Sequence, residues 1–364
     1  MSETFESNYI FKKMPYGEIG FSKYEDLFDR NSMPRVDGAL EWQHVKNPAG
    51  SSSRTDFAVD KALEETAAVY SVMGVKMLID GYPHVGGQSL DTLTDAKHRR
   101  RGLFKMLAKH SYEQLAKSGH SCVYGFPNAN SHTTFQNHLE WTIYGQVDLL
   151  IRPLRAGYFL RTIIGKLEER KWLKYLNFKL PMGRCNDPRV VMRPLKRFNA
   201  GHEAIWYKVA SKVRISVDRS AEYLNWRLFD RPDATKYQVW EAIEVGPDGE
   251  NEKLLGFVAW CVENKHRGRI GYLMECLALV DHPTAYSDLL QKAIKQMQDD
   301  GADLVLSWTP KHQFGYSEYR SRGFIKVPEI FRPFNLYWGM HSFNPEKRFK
   351  PTDWYISYLD SDTV

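Results

Sequence analysis

The chain has 364 residues, 43% hydrophobic and 26% charged, which suits a folded protein of two ordinary domains and argues against a disordered chain. It contains no apolar run of about 18 residues, and its first residues, "MSETFESNYIFKK", lack both the basic start and the apolar stretch of a signal peptide, so a cytoplasmic protein with no membrane partner is expected. A net charge of +6 is too mild for a nucleic-acid surface but favours a phosphorylated ligand, and Cys122, Cys185, Cys261 and Cys276 show no C-x-x-C spacing for a disulfide framework or a zinc site.

In chain order, "NYIFKKM" and "RTDFAVD" read as strands, "EETAAVYSVMGVKMLID" as a longer strand region, and "GGQSLDTLTD" as a strand running into the basic stretch "KHRRRGLFKML". A helix follows, because Leu103, Phe104, Leu107, Tyr112 and Leu115 fall on one face and Ser118-Gly119 ends it. "SCVYGF" is a buried strand, "SHTTFQNHL" a short helix, and "YGQVDLLIRPL" a closing strand. Residues 155–190 are basic and amphipathic and read as a connecting helix whose apolar stripe faces core. The second half repeats the order: strands "YQVWEAI", "LLGFVAWCV" and "IGYLMECLALV", the helix "YSDLLQKAIKQMQDDG", the strand "ADLVLSW", the helix "GYSEYRSRG" and "FIKVPEI". The fold class is therefore α/β, with mixed sheets (α+β).

Three anchors support two copies of one fold. "LEWQHVKNP" and "LNWRLFDRP" place Trp42 and Trp226 184 residues apart, while Pro127 and Pro310, and Trp141 and Phe324, are each 183 apart. The expected division is residues 1–154, a connecting segment 155–190, and residues 191–364.

A strand, a glycine turn and a helix start make an anion site, since the first helical N–H groups lack partners and the dipole is positive there. Arg99, Arg100 and Arg101 add forked donors suited to a diphosphate, and Gly102 lets the backbone approach it. In this context Arg99-Arg100-Arg101-Gly102-Leu103-Phe104 resembles the pyrophosphate-binding motif of the GNAT acyltransferase superfamily: Arg or Gln, two residues, Gly, one residue, then Gly or Ala. The likeness takes in "LDTLTD", the following helix, "SCVYGFPN" and the helix ending in "LEW", over roughly residues 8 to 153, and the second half resembles the same fold. Phe104 stands where the family has a second small residue, and Glu140 where it usually has glycine.

The resemblance implies two tandem GNAT-like acyl-CoA N-acyltransferase domains with acetyl-CoA as donor and no metal. The pyrophosphate would lie on the amides of Arg100 to Phe104, the pantetheine along the strand Leu90 to Thr94, including Leu93 and Thr94, and Asn128 would bond near the pantetheine arm. Residues aligned with the loop in the second copy, around His282 and Ala285, hold no arginine cluster or glycine, so that copy should be degenerate, binding no CoA and completing the acceptor pocket. Asp91 lies near where the family often carries a base, with Glu275 as its counterpart in the second half. The family's usual thiolate-protonating tyrosine falls on Gln136, which leaves Tyr124, Ser131 and Tyr144 as donors in the first half. Ser131 is also placed to cap the following helix, and Tyr319, at the equivalent tyrosine position of the second copy, reads as packing.

The expected reaction is acetyl transfer to a primary amine of a small molecule, an amino sugar carried on a nucleotide being the example suggested by the family's habits. Arg152 and Arg155 are candidates to hold an acidic acceptor. Two other readings remain at this level: an aminoacyltransferase of the peptidoglycan-branching type, which the intact Arg99–Gly102 pattern disfavours, and a non-catalytic CoA-binding or scaffold protein, which Gln136 favours.

Overall fold

The structure is a computed structural model that describes residues 8–155, 158, 189–246, 251–329, 332 and 336–363. Up to residue 155 the elements are β1 (Tyr9–Lys13), α1 (Glu18–Arg30), α2 (Ala39–His44), β2 (Arg54–Asp60), β3 (Thr66–Ile79), β4 (Tyr82–Thr94), α3 (Leu103–Lys117), β5 (Cys122–Gly125), α4 (His132–His138), β6 (Thr142–Gln146) and β7 (Leu149–Pro153). From residue 189 they are β8 (Val190–Pro194), α5 (Ala200–Ala210), β9 (Ile215–Val217), α6 (Ala221–Leu228), β10 (Tyr237–Val245), β11 (Glu252–Lys265), β12 (Gly268–Ala278), α7 (Pro283–Asp299), β13 (Leu304–Trp308), α8 (Tyr316–Ser321), β14 (Ile325–Lys326) and β15 (Tyr337–Ser342). Most of the connecting segment expected at 155–190 lies outside the described residues.

The strands form two mixed sheets. One runs β1-β2-β3-β4-β5-β15-β6, with β9 added to the end of β3, and the other runs β8-β10-β11-β12-β13-β7-β14. Position for position the two orders correspond, and in each a parallel pair (β4 with β5, β12 with β13) interrupts otherwise antiparallel pairing. The closing strands are exchanged. β15 lies between β5 and β6, pairing Met340 with Tyr124 and Tyr337 with Gln146. β7 lies between β13 and β14, pairing Leu306 with Ile151 and Ile325 also with Ile151. The single closing strand read in "YGQVDLLIRPL" is thus two strands on two sheets. The sequence shows an apolar alternation on both sides of Val147-Asp148 but nothing of which sheet each side joins.

Each sheet is covered by a helix whose apolar face matches it. Leu103, Leu107, Ala108, Tyr112 and Leu115 of α3 are buried in a cluster with Val72 and Val123 of the first sheet. Ala285, Leu289, Leu290, Ala293 and Met297 of α7 pack on Val258 and Val305 of the second. Fully burying each such leucine stabilises the fold by roughly 1.5–3 kcal/mol before the entropy of ordering is counted. Where the sheets meet, the tryptophans of the repeat face each other. Trp42 and Trp226 stack with ring centroids 4.4 Å apart, and each indole N–H donates to the other's backbone carbonyl at 3.0 Å.

Candidate functional site: a cleft in the first sheet

β4 and β5 pair only as far as Ser89 and Gly125 and then diverge. A register shift between Val69 and Ser71 of the facing strand coincides with Asp91 at φ 43°. Past the split lies a cleft of about 390 Å³ lined by residues that include Ser89, Leu90, Asp91, Thr94, Phe104, Asn128, Ser131 and Asp362, within the size range of small-ligand sites. At its outer end α3 begins behind Gly102, which has φ 74° and no side-chain cap. A Cβ built on Gly102 meets nothing within 4 Å, so the space in front of the helix terminus is open. Arg100, at φ 65°, and its two neighbours are exposed; Arg99 bonds the Thr94 carbonyl and Arg101 the Tyr9 hydroxyl. The bulk of Phe104 is absorbed because its ring turns inward onto Tyr70 and Phe135 and becomes a wall of the cleft.

The second sheet splits at the equivalent place, and the chain's own tail fills the split. Tyr355 donates its hydroxyl to Glu275 Oε1 at 2.7 Å, Ser357 donates to Glu275 Oε2, the Ile356 N–H donates to Gln313, and Tyr358 stacks on Trp308. Arg219, fully buried, joins the tail through Asp360 at 2.6 Å and the sheet through Glu275 at 3.2 Å. Glu275, the second-half base candidate, is therefore committed to structure, as is Tyr319, which is buried against Tyr286 and Phe324.

Of the first-half candidates, Asp91, Thr94, Phe104, Asn128 and Ser131 line the cleft together. Leu93 does not; its side chain is buried with Leu27, Phe28 and Val69 on the opposite face. Tyr124 is buried and turned the other way, its hydroxyl donating to the Asp360 carbonyl. Tyr144 lies beside Trp338 and Trp354, in a separate cavity with His312. Asn128 Oδ1 accepts from the N–H groups of Asn130 and Ser131 in the turn that leads into α4, and Ser131, at the N-cap position, makes no side-chain cap bond. Arg152 and Arg155 are not near the cleft: Arg152 packs over Gly323 and Arg155 beside Gly301, both at the second sheet.

Asp91 has the properties of a base. Its side chain is 7% exposed and one oxygen accepts from Arg35 at 2.7 Å, while the buried Oδ2 makes no hydrogen bond within 3.5 Å and the Tyr24 hydroxyl is the nearby phenol that acts on the carboxyl. Burial pushes its pKa up to about 6, against the pull of the Arg35 guanidinium and helped by the charge of Asp362. Two participants escaped sequence reasoning. Asp362 comes from the tail, which carries no motif. Ser89 heads a buried chain of hydrogen bonds, Ser89 to Tyr70 at 2.8 Å, Tyr70 to Tyr112 at 2.7 Å, and Trp141 Nε1 to Tyr112 at 2.8 Å, in which burial raises both phenol pKa values and keeps them protonated. Alternation along "GQSLD" places Ser89 on one face, but only the fold shows that this face opens on the cleft.

A second cavity of about 180 Å³ adjoins the first. Arg35, Trp42, Gln43, Gln88, Arg227, Arg231 and Asp233 are among its lining residues, and it shares Asp362 with the cleft. Among the described residues no three His, Cys, Asp or Glu side chains come together as a metal site, and no helix is long and apolar enough to cross a membrane.

Residues 28–144 match the family model for an acetyltransferase (GNAT) domain. No curated protein matches the sequence. Among solved structures, a GCN5-related N-acetyltransferase from Anabaena variabilis is similar with a TM-score of 0.61 at 10% identity, over 92% of this chain and 73% of its own. Yeast N-myristoyltransferase with bound myristoyl-CoA gives 0.61 at 14% identity, over 95% and 80%. A conserved protein from Enterococcus faecalis described as a probable N-acyltransferase gives 0.60 at 11% identity, over 92% and 72%. At such identities the structural likeness is one of fold, and it spans both sheets. The family model lies over both the helix terminus and the cleft, so it is residues 28–144 of the chain that match a GNAT acetyltransferase domain.

Proposed function

We propose that the protein transfers an acetyl group from acetyl-CoA to a primary amine of a small molecule, in the cytoplasm, with the donor in the first-sheet cleft. The observation that carries this is the contrast between two equivalent splits, one open and headed by an uncapped helix terminus, the other occupied by the tail. The pantetheine end and the acyl group share about 390 Å³, which favours a short acyl chain. Free, buried Cys122, Cys261 and Cys276 agree with a reducing compartment.

In this reading the diphosphate rests on the first amides of α3 beside Arg99 to Arg101, and the thioester lies at the split. The amine arrives as ammonium and loses one proton to solvent. Its nitrogen then attacks the thioester carbon, the second proton passes to Asp91 Oδ2, the C–N bond forms and the C–S bond breaks. The sulfur leaves as a thiolate that accepts a hydrogen bond from the Ser89 hydroxyl, which Tyr70 and Tyr112 hold in place, with Ser131, also on the cleft wall, as the alternative hydrogen-bond donor; the thiolate takes its proton from solvent and Asp91 returns its own to solvent. Calorimetry should find one acetyl-CoA per chain. Gly102→Asp should weaken binding at least tenfold by setting a carboxylate against the diphosphate. Two equal sites, or unchanged affinity in the variant, would overturn the assignment.

A further inference from the structure

We infer that the acceptor is an amino acid, or a molecule of that size with an amine and a carboxylate on neighbouring carbons, held by its carboxylate in the cavity beside the donor cleft. The inference rests on the donor reading above and specifies what that reading leaves open.

Three observations point the same way. The first is the presence of donors without acceptors. Arg227 is 3% exposed and Gln88 also 3%, both line the smaller cavity, and Arg227 Nη1 and Gln88 Nε2 have no hydrogen-bond partner, nor does Arg35 Nε. Buried donors left unpaired are costly, and an anion accepting from two guanidinium groups and an amide removes that cost. Trp42 supplies an apolar wall, with Arg227 and Arg231 over its ring.

The second is spacing. Arg35 uses Nη1 on Asp91 and keeps Nε unpaired, so the base and the anion site share one guanidinium. An acceptor bridging them has its amine and its anionic group only a few bonds apart. Asp362 lines both cavities and faces the ammonium from the other side. The charges are those a zwitterion needs: arginines toward the carboxylate, aspartates toward the amine.

The third is size. A cavity of about 150 Å³ holds a benzene-sized molecule, so the 180 Å³ present here suits a carboxylate with a small or medium side chain. A nucleotide-linked amino sugar has several times as many atoms, and a diphosphate would need more cationic surface than three arginines already shared among Asp91, Asp233 and Ser361.

The test uses the full chain with acetyl-CoA and follows thiol release. The panel contains the common L-amino acids, the amine corresponding to each after loss of its carboxylate (phenethylamine for phenylalanine, for example), and a nucleoside-diphosphate amino sugar. At least one amino acid should be acetylated with kcat/KM 100-fold or more above its carboxylate-free partner. Arg35→Lys, which keeps a cation for Asp91 but loses the fork, should reduce that ratio at least tenfold while acetyl-CoA affinity stays within a few-fold. Equal rates on both members of every pair, preference for the sugar, or no transfer to any amino acid by protein that binds acetyl-CoA would overturn the acceptor assignment alone. Failure to bind acetyl-CoA in calorimetry would instead overturn the donor reading beneath it.

Discussion

At Asp91 the carboxylate is buried, half paired and raised to about 6 from 3.8, burial being the largest cause. Only the deprotonated form takes a proton from the amine, so kcat/KM should show a limb at about 6 in addition to the climb at higher pH that follows deprotonation of the free ammonium. Asp91→Asn should lower the rate by roughly 10²–10⁴-fold and remove that limb, with acetyl-CoA affinity within a few-fold; full activity across the pH range would mark Asp91 as structural. Stability has the opposite sign. The folded state holds this proton more tightly than the unfolded chain does, so the contribution is fully present below about pH 4 and is lost as pH rises through about 6. Ser89→Ala should cut kcat roughly tenfold to 100-fold with little change in acetyl-CoA affinity, whereas an equal loss of both would assign Ser89 to binding.

Before the aromatic Trp141, where the resemblance leads one to expect glycine, the chain has Glu140 at φ 58°, and its counterpart in the second half is Gly323 at φ 81°. The backbone bend is retained although the residue is not. Among the elements, the tail and the exchanged strands are the least expected. In β15, a Cβ on Gly339 would stand 2.4 Å from the Thr142 carbonyl oxygen and 3.0 Å from Ile143 Cα, both backbone atoms of β6. Gly339→Val should therefore cost about 3 kcal/mol by forcing β6 from β15, seen as a lower urea midpoint. In the tail, Asp360→Ala removes the closest charge partner of Arg219, whose side chain is 0% exposed, and should destabilise by roughly 3–5 kcal/mol. A normal urea midpoint in that variant would mean that Glu275 alone satisfies the guanidinium.

On the scale of the whole molecule, neither sheet is complete without the other half of the chain. Residues up to 154 lack β15 and leave β5 and β6 unjoined, while residues from 189 onward lack β7 and leave β13 and β14 unjoined. Expressed alone, each piece should fail to show a cooperative transition. Co-expressed, the two should co-purify as one complex, held by two exchanged strands and the Trp42–Trp226 stack. A stable, monomeric N-terminal piece that binds acetyl-CoA would show the exchange to be dispensable.

The sequence by itself determined what depends on local periodicity and short motifs. The alternation in β2 to β5 and β10 to β13, the apolar faces of α3 and α7, and the Arg99–Gly102 turn before a helix were all legible, because strands, helices and an anion-binding helix terminus are set by neighbours in the chain. The paired tryptophans were legible as a repeat, though not as residues in contact. Tertiary structure alone decided which sheet β7 and β15 join, since a strand's hydrogen bonding carries no record of its partner, and it alone placed a motif-free tail in the second split. It also turned Tyr124 and Tyr144 away from the cleft while bringing Ser89 and Asp362 to it, and set Arg35, Arg227 and Gln88 around one small cavity. These residues are far apart in the chain, and only burial together gives their unpaired donors a common purpose.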